Sequence, residues 1–454
     1  MPRTMVSPMI EDRSTHKNIA GSGATTTTAA LNVAFLLLFL SNAANMIDRQ
    51  IVNILAEPIK HELLLADWQL GVLTGLTFAV FYTVLGVPLA RYADRPKSNR
   101  SHLIAGCLAL WSAMTALCGL TSGFWQLLAA RVGVAVGEAG CSPASHSLIT
   151  DLVPPERRAS ALGLYSVGIP VGKLLGLVVG GIIAQALGWR AAFFIVGLPG
   201  VLLAVVTWFA LPEPRLTRPL QTHSNNFGNA LKRLLPIRTF WLASLGAAFI
   251  AFLTYGQTAF LGSFLIRVHH VNVGQAGMML GLAIGGGGAI GTWVGGRVAD
   301  IGARRDERAY MVIPAIGGGL SAIIFIGSVL TDNLALSVAL LTLASAVSSL
   351  WYGPMFAAIQ GIVPPVHRAT AAAIHLLVMN LIGLGLGPLA FGILSDGFNH
   401  GFAIAGLRFD GIGPAAGIRY ALAVGAGSGV VAAIFLLVAC LSIRRDFAAA
   451  SQAV

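Results

Sequence analysis

Val153-Pro154-Pro155-Glu156-Arg157-Arg158-Ala159-Ser160-Ala161 returns about 210 residues later as Val363-Pro364-Pro365-Val366-His367-Arg368-Ala369-Thr370-Ala371. A second pair agrees: Ala90-Arg91-Tyr92-Ala93-Asp94 against Gly296-Arg297-Val298-Ala299-Asp300, at an offset of 206. Two matches at nearly one offset make the chain a duplicated unit, and self-similarity of this kind decides architecture before any single element does. Each half must therefore build the same bundle.

The residues between these markers say what kind of bundle. The 454-residue chain is 56% hydrophobic and 10% charged, against about 25% charged in a soluble domain. Its apolar residues arrive in blocks of about 20, the length that crosses a bilayer core of roughly 30 Å as helix. Strand-type alternation is absent, which disfavours an outer-membrane barrel. Twelve spans are expected between residues 29 and 442, the fourth of them at 124–148. The fold class is an all-α membrane protein with two pseudo-symmetric six-helix bundles. Residues 1–28 read as a disordered tail, 29–211 as the first bundle, 212–238 as a linker rich in proline and basic residues, 239–443 as the second bundle and 444–454 as a tail.

The net charge of +11 suggests nucleic acid until its distribution is examined. The outer loops hold only Lys60, Arg190, Arg267, Arg408 and Arg419, and Arg49, Arg131 and Lys173 lie inside spans. The other Lys and Arg fall on the tails and the inner loops. This is the positive-inside pattern, which places both termini in the cytoplasm and argues against a nucleic-acid partner. Trp68, Trp125 and Trp189 fall at outer helix ends, as interfacial aromatics do. Asp67, Ser122 and Asn272 stand where helix N-caps belong. Cys107, Cys118, Cys141 and Cys440 lack ligand spacing, so no metal, disulfide or cofactor is expected. No catalytic constellation is visible, so an enzyme is not expected.

Glycine is abundant, 54 residues in all. Gly168, Gly172, Gly176 and Gly180 form a stripe in span 5, which lets another helix backbone approach closely.

With twelve spans, two repeated halves and both ends inside, the chain resembles the major facilitator superfamily. Ala90-Arg91-Tyr92-Ala93-Asp94-Arg95 resembles that superfamily's signature between spans 2 and 3. Asn45-Met46-Ile47-Asp48-Arg49-Gln50 and Arg131-Val132-Gly133-Val134-Ala135-Val136-Gly137-Glu138-Ala139 resemble its bacterial Spinster-like branch. The resemblance implies a secondary transporter in the bacterial inner membrane that works by alternating access, coupled to protons and moving an amphipathic or lipid-like small molecule. The alternative is a proton-coupled symporter of a small organic anion. The partners expected are the lipid bilayer, a proton and the substrate, and the protein is expected to be a monomer.

Five charges lie deep in the predicted spans: Asp48 and Arg49 in span 1, Arg131 and Glu138 in span 4, and Lys173 in span 5. Such charges are expensive and usually functional. At about 1.5 Å rise per residue, Arg131 lies roughly 10 Å deep, Asp48 roughly 12 Å and Glu138 roughly 21 Å. Asp48 can therefore meet Arg131, and Lys173 can either pair with Glu138 or meet an anionic group. The repeat maps Asp48, Arg49, Arg131, Glu138 and Lys173 onto Thr254, Tyr255, Leu341, Ser348 and Gly383, so one half carries all five charges. Burial disfavours a carboxylate's charged form and a nearby arginine restores it. Asp48, Arg49, Arg131 and Glu138 are accordingly the candidates for proton coupling, against the alternative of a permanent structural ion pair. Lys173, Tyr165, Tyr255, Gln257, Trp351, Tyr352, His375 and Asn380 are candidates to line the substrate cavity, although His375 also fits a polar packing role. Arg91, Asp94, Arg95, Arg158, Arg297, Asp300 and Arg368 sit at the repeated inner corners and are candidate gating residues. Asp94 and Asp300 are expected to latch the inner gate.

Overall fold

In the computed structural model the described residues are 28–93, 95, 98–154, 157–214, 227–364, 367–404 and 407–452. Asp94, most of the N-terminal tail and the middle of the expected linker lie outside them. Eleven described helices are long and apolar enough to cross a membrane. They include span 1 (Ala30–Leu63), span 2 (Asp67–Ala93), span 3 (Arg100–Cys118), span 5 (Ser160–Leu187) and span 7 (Arg238–His269). Span 8 (Val273–Ala303), span 10 (Leu334–Gly361), span 11 (Thr370–His400) and span 12 (Pro414–Ala439) belong to the same set.

The twelfth crossing, span 4, departs from the expected continuous helix. It is two pieces, Phe124–Glu138 and Cys141–Leu152, each too short to cross alone. Pro143 explains the break, because it has no N–H to offer the carbonyl one turn back, at Ala139. Span 10 breaks at the matching place. Its helix Leu334–Ser348 gives way to a tight turn at Ser349–Trp351 before Tyr352–Gly361, and Pro354 follows the turn. The repeat carries Glu138 onto Ser348, so the broken helix is common to both halves and the carboxylate is not.

Small residues set how the helices approach. The span 5 stripe packs on span 1 of its own half: a Cβ on Gly172 would lie 2.5 Å from the Ala43 carbonyl oxygen. A different set closes the two halves on each other. A Cβ on Gly277 would lie 2.3 Å from the Leu177 carbonyl oxygen, and one on Gly71 would lie 2.4 Å from that of Pro388. Spans 2, 8 and 11, which meet at this seam, each contain a wide π-helical turn, at Val72–Leu76, Gly281–Gly287 and Asn380–Leu386. Such turns frequently mark functional positions in helices.

Four peripheral expectations change. A short antiparallel hairpin, Gly401–Ile404 with Leu407–Asp410, joins spans 11 and 12 in an otherwise helical chain. The expected C-terminal tail contains a helix, Ile443–Gln452, docked where the Asp446 carboxylate accepts the Thr239 N–H at 3.2 Å. Of the three proposed N-caps, only Asn272 caps, accepting the Gln275 N–H at 2.8 Å. The caps near the other two are Ala66 and Gly123. Trp68 and Trp125 are exposed as interfacial residues should be, but Trp189 is buried and donates its indole N–H to Glu62.

Candidate functional site

Arg49 and Glu138 form the centre of the first bundle. Span 1 delivers Arg49 and the last turn of the first span 4 piece delivers Glu138. The arginine Nε donates to Glu138 Oε2 at 2.8 Å. Glu138 is fully buried, and its other oxygen, Oε1, has no hydrogen-bond partner. The Arg49 guanidinium also lies over two aromatic rings of span 2, 4.2 Å from the Phe78 centroid and 4.9 Å from that of Tyr82. A cation over a ring face is attracted by its quadrupole. Phe78 and Tyr82 were not anticipated from sequence. Their i, i+4 spacing puts both on one helix face, which is the only sequence cue they offer.

The Asp48–Arg131 ion pair that depth along the helices allows does not form. Both side chains are buried and face one another's charge, yet Asp48 Oδ1 and Arg131 Nε and Nη1 lack hydrogen-bond partners. Depth along a helix says nothing of direction, and neighbouring residues 48 and 49 point about 100° apart. Asn45, Trp111 and Thr115 add further unpartnered polar atoms in the same bundle. Buried polar groups are normally paired, so this cluster of polar groups stands out.

Lys173 does not pair with Glu138, whose ion-pair partner is Arg49. It is part-exposed, and its electrostatic neighbours are Tyr255 and Arg49. Tyr255, Tyr352 and Asn380 are likewise part-exposed. The structure packs other cavity candidates away: Tyr165, Gln257, Trp351 and His375 are all buried. Trp351 stacks on Tyr352 at 4.2 Å. His375 shares a 3.0 Å hydrogen bond with Ser244 and meets Phe356 edge-on, a packing role within the second bundle.

The described gating candidates make only local contacts. Arg158 Nε donates to the Thr150 carbonyl and Arg368 Nε to the Gln360 carbonyl, the same eight-residue reach in each half. Arg95 lies over Tyr92 and Arg297 over Trp293. The Arg91 and Asp300 side chains make no hydrogen bond or ion pair among the described residues, and Asp94 lies outside them.

Among the described residues, the side-chain bonds joining the halves lie instead at the end assigned to the outside. Arg267 of span 7 donates Nε to Glu57 at 2.8 and 2.9 Å, and Nη1 and Nη2 to the Asp67 carboxylate at 2.8 Å each. Lys60 also pairs with Asp67, which accepts the Ser395 hydroxyl at 2.6 Å. Asp396 of span 11 accepts the backbone N–H groups of Asp67 and Trp68 at 3.0 and 2.7 Å, where the first turn of a helix leaves donors unpaired. The outer end is thus sealed by charge and by glycine-to-backbone packing. Sequence reading missed this lock because its partners stand 200 to 329 residues apart.

The comparisons with known proteins agree with this geometry. The model of the Major Facilitator Superfamily matches residues 38–388. An MFS-type efflux pump of Mycolicibacterium smegmatis is 35% identical over 90% of this chain and 92% of its own. Protein spinster homolog 1 of Xenopus laevis is 26% identical over 91% of this chain and 81% of its own. The crystal structure of a bacterial homolog of the human lysosomal transporter Spinster, inward-facing and unoccupied, superposes with a TM-score of 0.83 at 31% identity. It covers 92% of this chain and 99% of that one. A buried charge pair in one of two repeated six-helix bundles, the matched family model and these relatives lead to one conclusion: the chain is a multi-pass membrane transporter of the Major Facilitator Superfamily, Spinster-like, and not an enzyme.

Proposed function

We propose that this transporter is a proton-coupled, monomeric carrier that works by alternating access and moves an amphipathic small molecule across the bacterial inner membrane. One observation carries the coupling: Glu138 has one oxygen on Arg49 and the other unpartnered, in full burial. An acceptor so placed can hold a proton on its open oxygen and release the arginine, or lose it and recover the pair. Asp48 and Arg131 stand beside it as the remaining charges of the bundle, with Asn45, Trp111 and Thr115 as polar neighbours. The sealed outer end supports alternating access, since its bonds join one half to the other and must part for the outer side to open. The part-exposed rings of Tyr82 and Tyr352 suit a substrate with an apolar body.

The test is flux in proteoliposomes under an imposed pH gradient, with a panel of amphipaths and small organic anions. Glu138→Gln should abolish gradient-driven flux while exchange of substrate without a gradient persists. Undiminished gradient-driven flux in that variant would overturn the coupling.

A further inference from the structure

Lys173 is a cation inside a membrane bundle with no counter-ion among the described residues. It makes no hydrogen bond or ion pair among the described residues, and its twin in the other half is Gly383. Its position is firmly set, because the preceding Gly172 is pressed against Ala43 and Met46 of span 1. Its neighbours bring no negative charge. Arg49 is a second cation, and Tyr255 is a phenol that also faces Arg49, Tyr82 and Tyr352. Glu138 meets Arg49 through Nε alone, which leaves both terminal nitrogens of that guanidinium without a carboxylate. Two cations, one carboxylate and three phenols around a part-exposed centre form a site short of one negative charge.

We infer that Lys173 is the specificity-determining anchor for an oxyanion, a carboxylate or phosphate, carried by the transported molecule, with the Tyr255 hydroxyl and the free edge of Arg49 completing the contact. An ammonium is a compact point charge that binds oxyanions without demanding a planar partner, and phenols and guanidinium nitrogens donate to the same oxygens. A cationic substrate head would face two like charges and be rejected. The inference rests on the transport reading above, and narrows its substrate to anions.

The test is isothermal titration of the full chain in nanodiscs of zwitterionic phosphatidylcholine. The probes are octyl phosphate and octanoate, octyltrimethylammonium with the same tail, and gluconate and inorganic phosphate as anions without a tail. Wild type should bind an anion and not the ammonium. Lys173→Met should weaken that binding at least about tenfold, the loss of one charge-assisted contact, and Lys173→Arg should restore most of it. Tyr255→Phe supplies a second, milder loss if Lys173→Met does not fold. Tailed anions alone would mark an amphipath, and binding of gluconate or phosphate a small soluble anion; either supports the anchor. Preference for the ammonium, no binding by any anion, or equal binding by wild type and Lys173→Met would overturn it. Gradient-driven flux is measured separately, so a failure of proton coupling leaves this result standing and a failure here leaves coupling standing.

Discussion

Replacing Arg267 with Met removes the central cation of the outer lock. The side chain is 8% exposed, and its partners Glu57 and Asp67 are 4% and 0% exposed. Breaking a buried ion pair by removing one partner costs about 3–5 kcal/mol, because the other charge is left without compensation. Lys60 still holds Asp67, so the lower end, about 3 kcal/mol, applies. The penalty falls on the closed form alone, since on opening both carboxylates reach water. At about 1.4 kcal/mol per factor of ten, the balance between the two forms should move about a hundredfold toward outer-open. Electron-electron spin-label distances between exposed outer positions on the two halves, Leu64 and Ile412, read that balance directly. The labels are placed after the four native cysteines are replaced. A folded Arg267→Met variant with the wild-type distance distribution would refute the reasoning.

Three further outcomes follow from the packing and the charges. Gly277→Ala places a methyl 2.3 Å from the Leu177 carbonyl oxygen of the other half, so it too should lengthen the outer spin-label distances; an unchanged distribution counts against the seam. Arg49→Lys keeps the charge but loses the guanidinium that lies over Phe78 and Tyr82, and should reduce gradient-driven flux several-fold with expression retained, measured in the same proteoliposomes. Arg100 is fully buried and pairs with Asp151 and Glu213 at the start of span 3. Arg100→Met should therefore lower the thermal midpoint, by about 3 kcal/mol of stability, without moving the outer spin labels.

The repeat, the twelve crossings and the five embedded charges were legible because each is a property of composition or of spacing along one helix. What spacing cannot convey is azimuth and partnership. Depth allows Asp48 to meet Arg131, yet the pair that forms is Arg49 with Glu138. Pro143 and Pro354 were visible in the sequence, but a proline in a membrane helix can be absorbed by its neighbours, so the two breaks became definite only with the fold. The outer lock was least legible. Its members sit in short loops and helix ends where Lys60 and Arg267 counted simply as loop charges, and Asp67 as a cap. Lys173 is the reverse case: its residue type and depth flagged it, and the structure removed the carboxylate that could have neutralised it.

Asp396 holds span 2 by the backbone amides of residues 67 and 68, a grip blind to side-chain identity. The two components of the outer lock therefore drift differently as the sequence changes. Substitutions at residue 67 can loosen or tighten the arginine pairing by degrees, and they leave the amide grip in place. At residue 396 no such gradation exists, because the grip needs two carboxylate oxygens and has no substitute acceptor to fall back on. Variation in the first turn of span 2 thus tunes how readily the carrier opens, whereas loss of the carboxylate at 396 removes the grip outright.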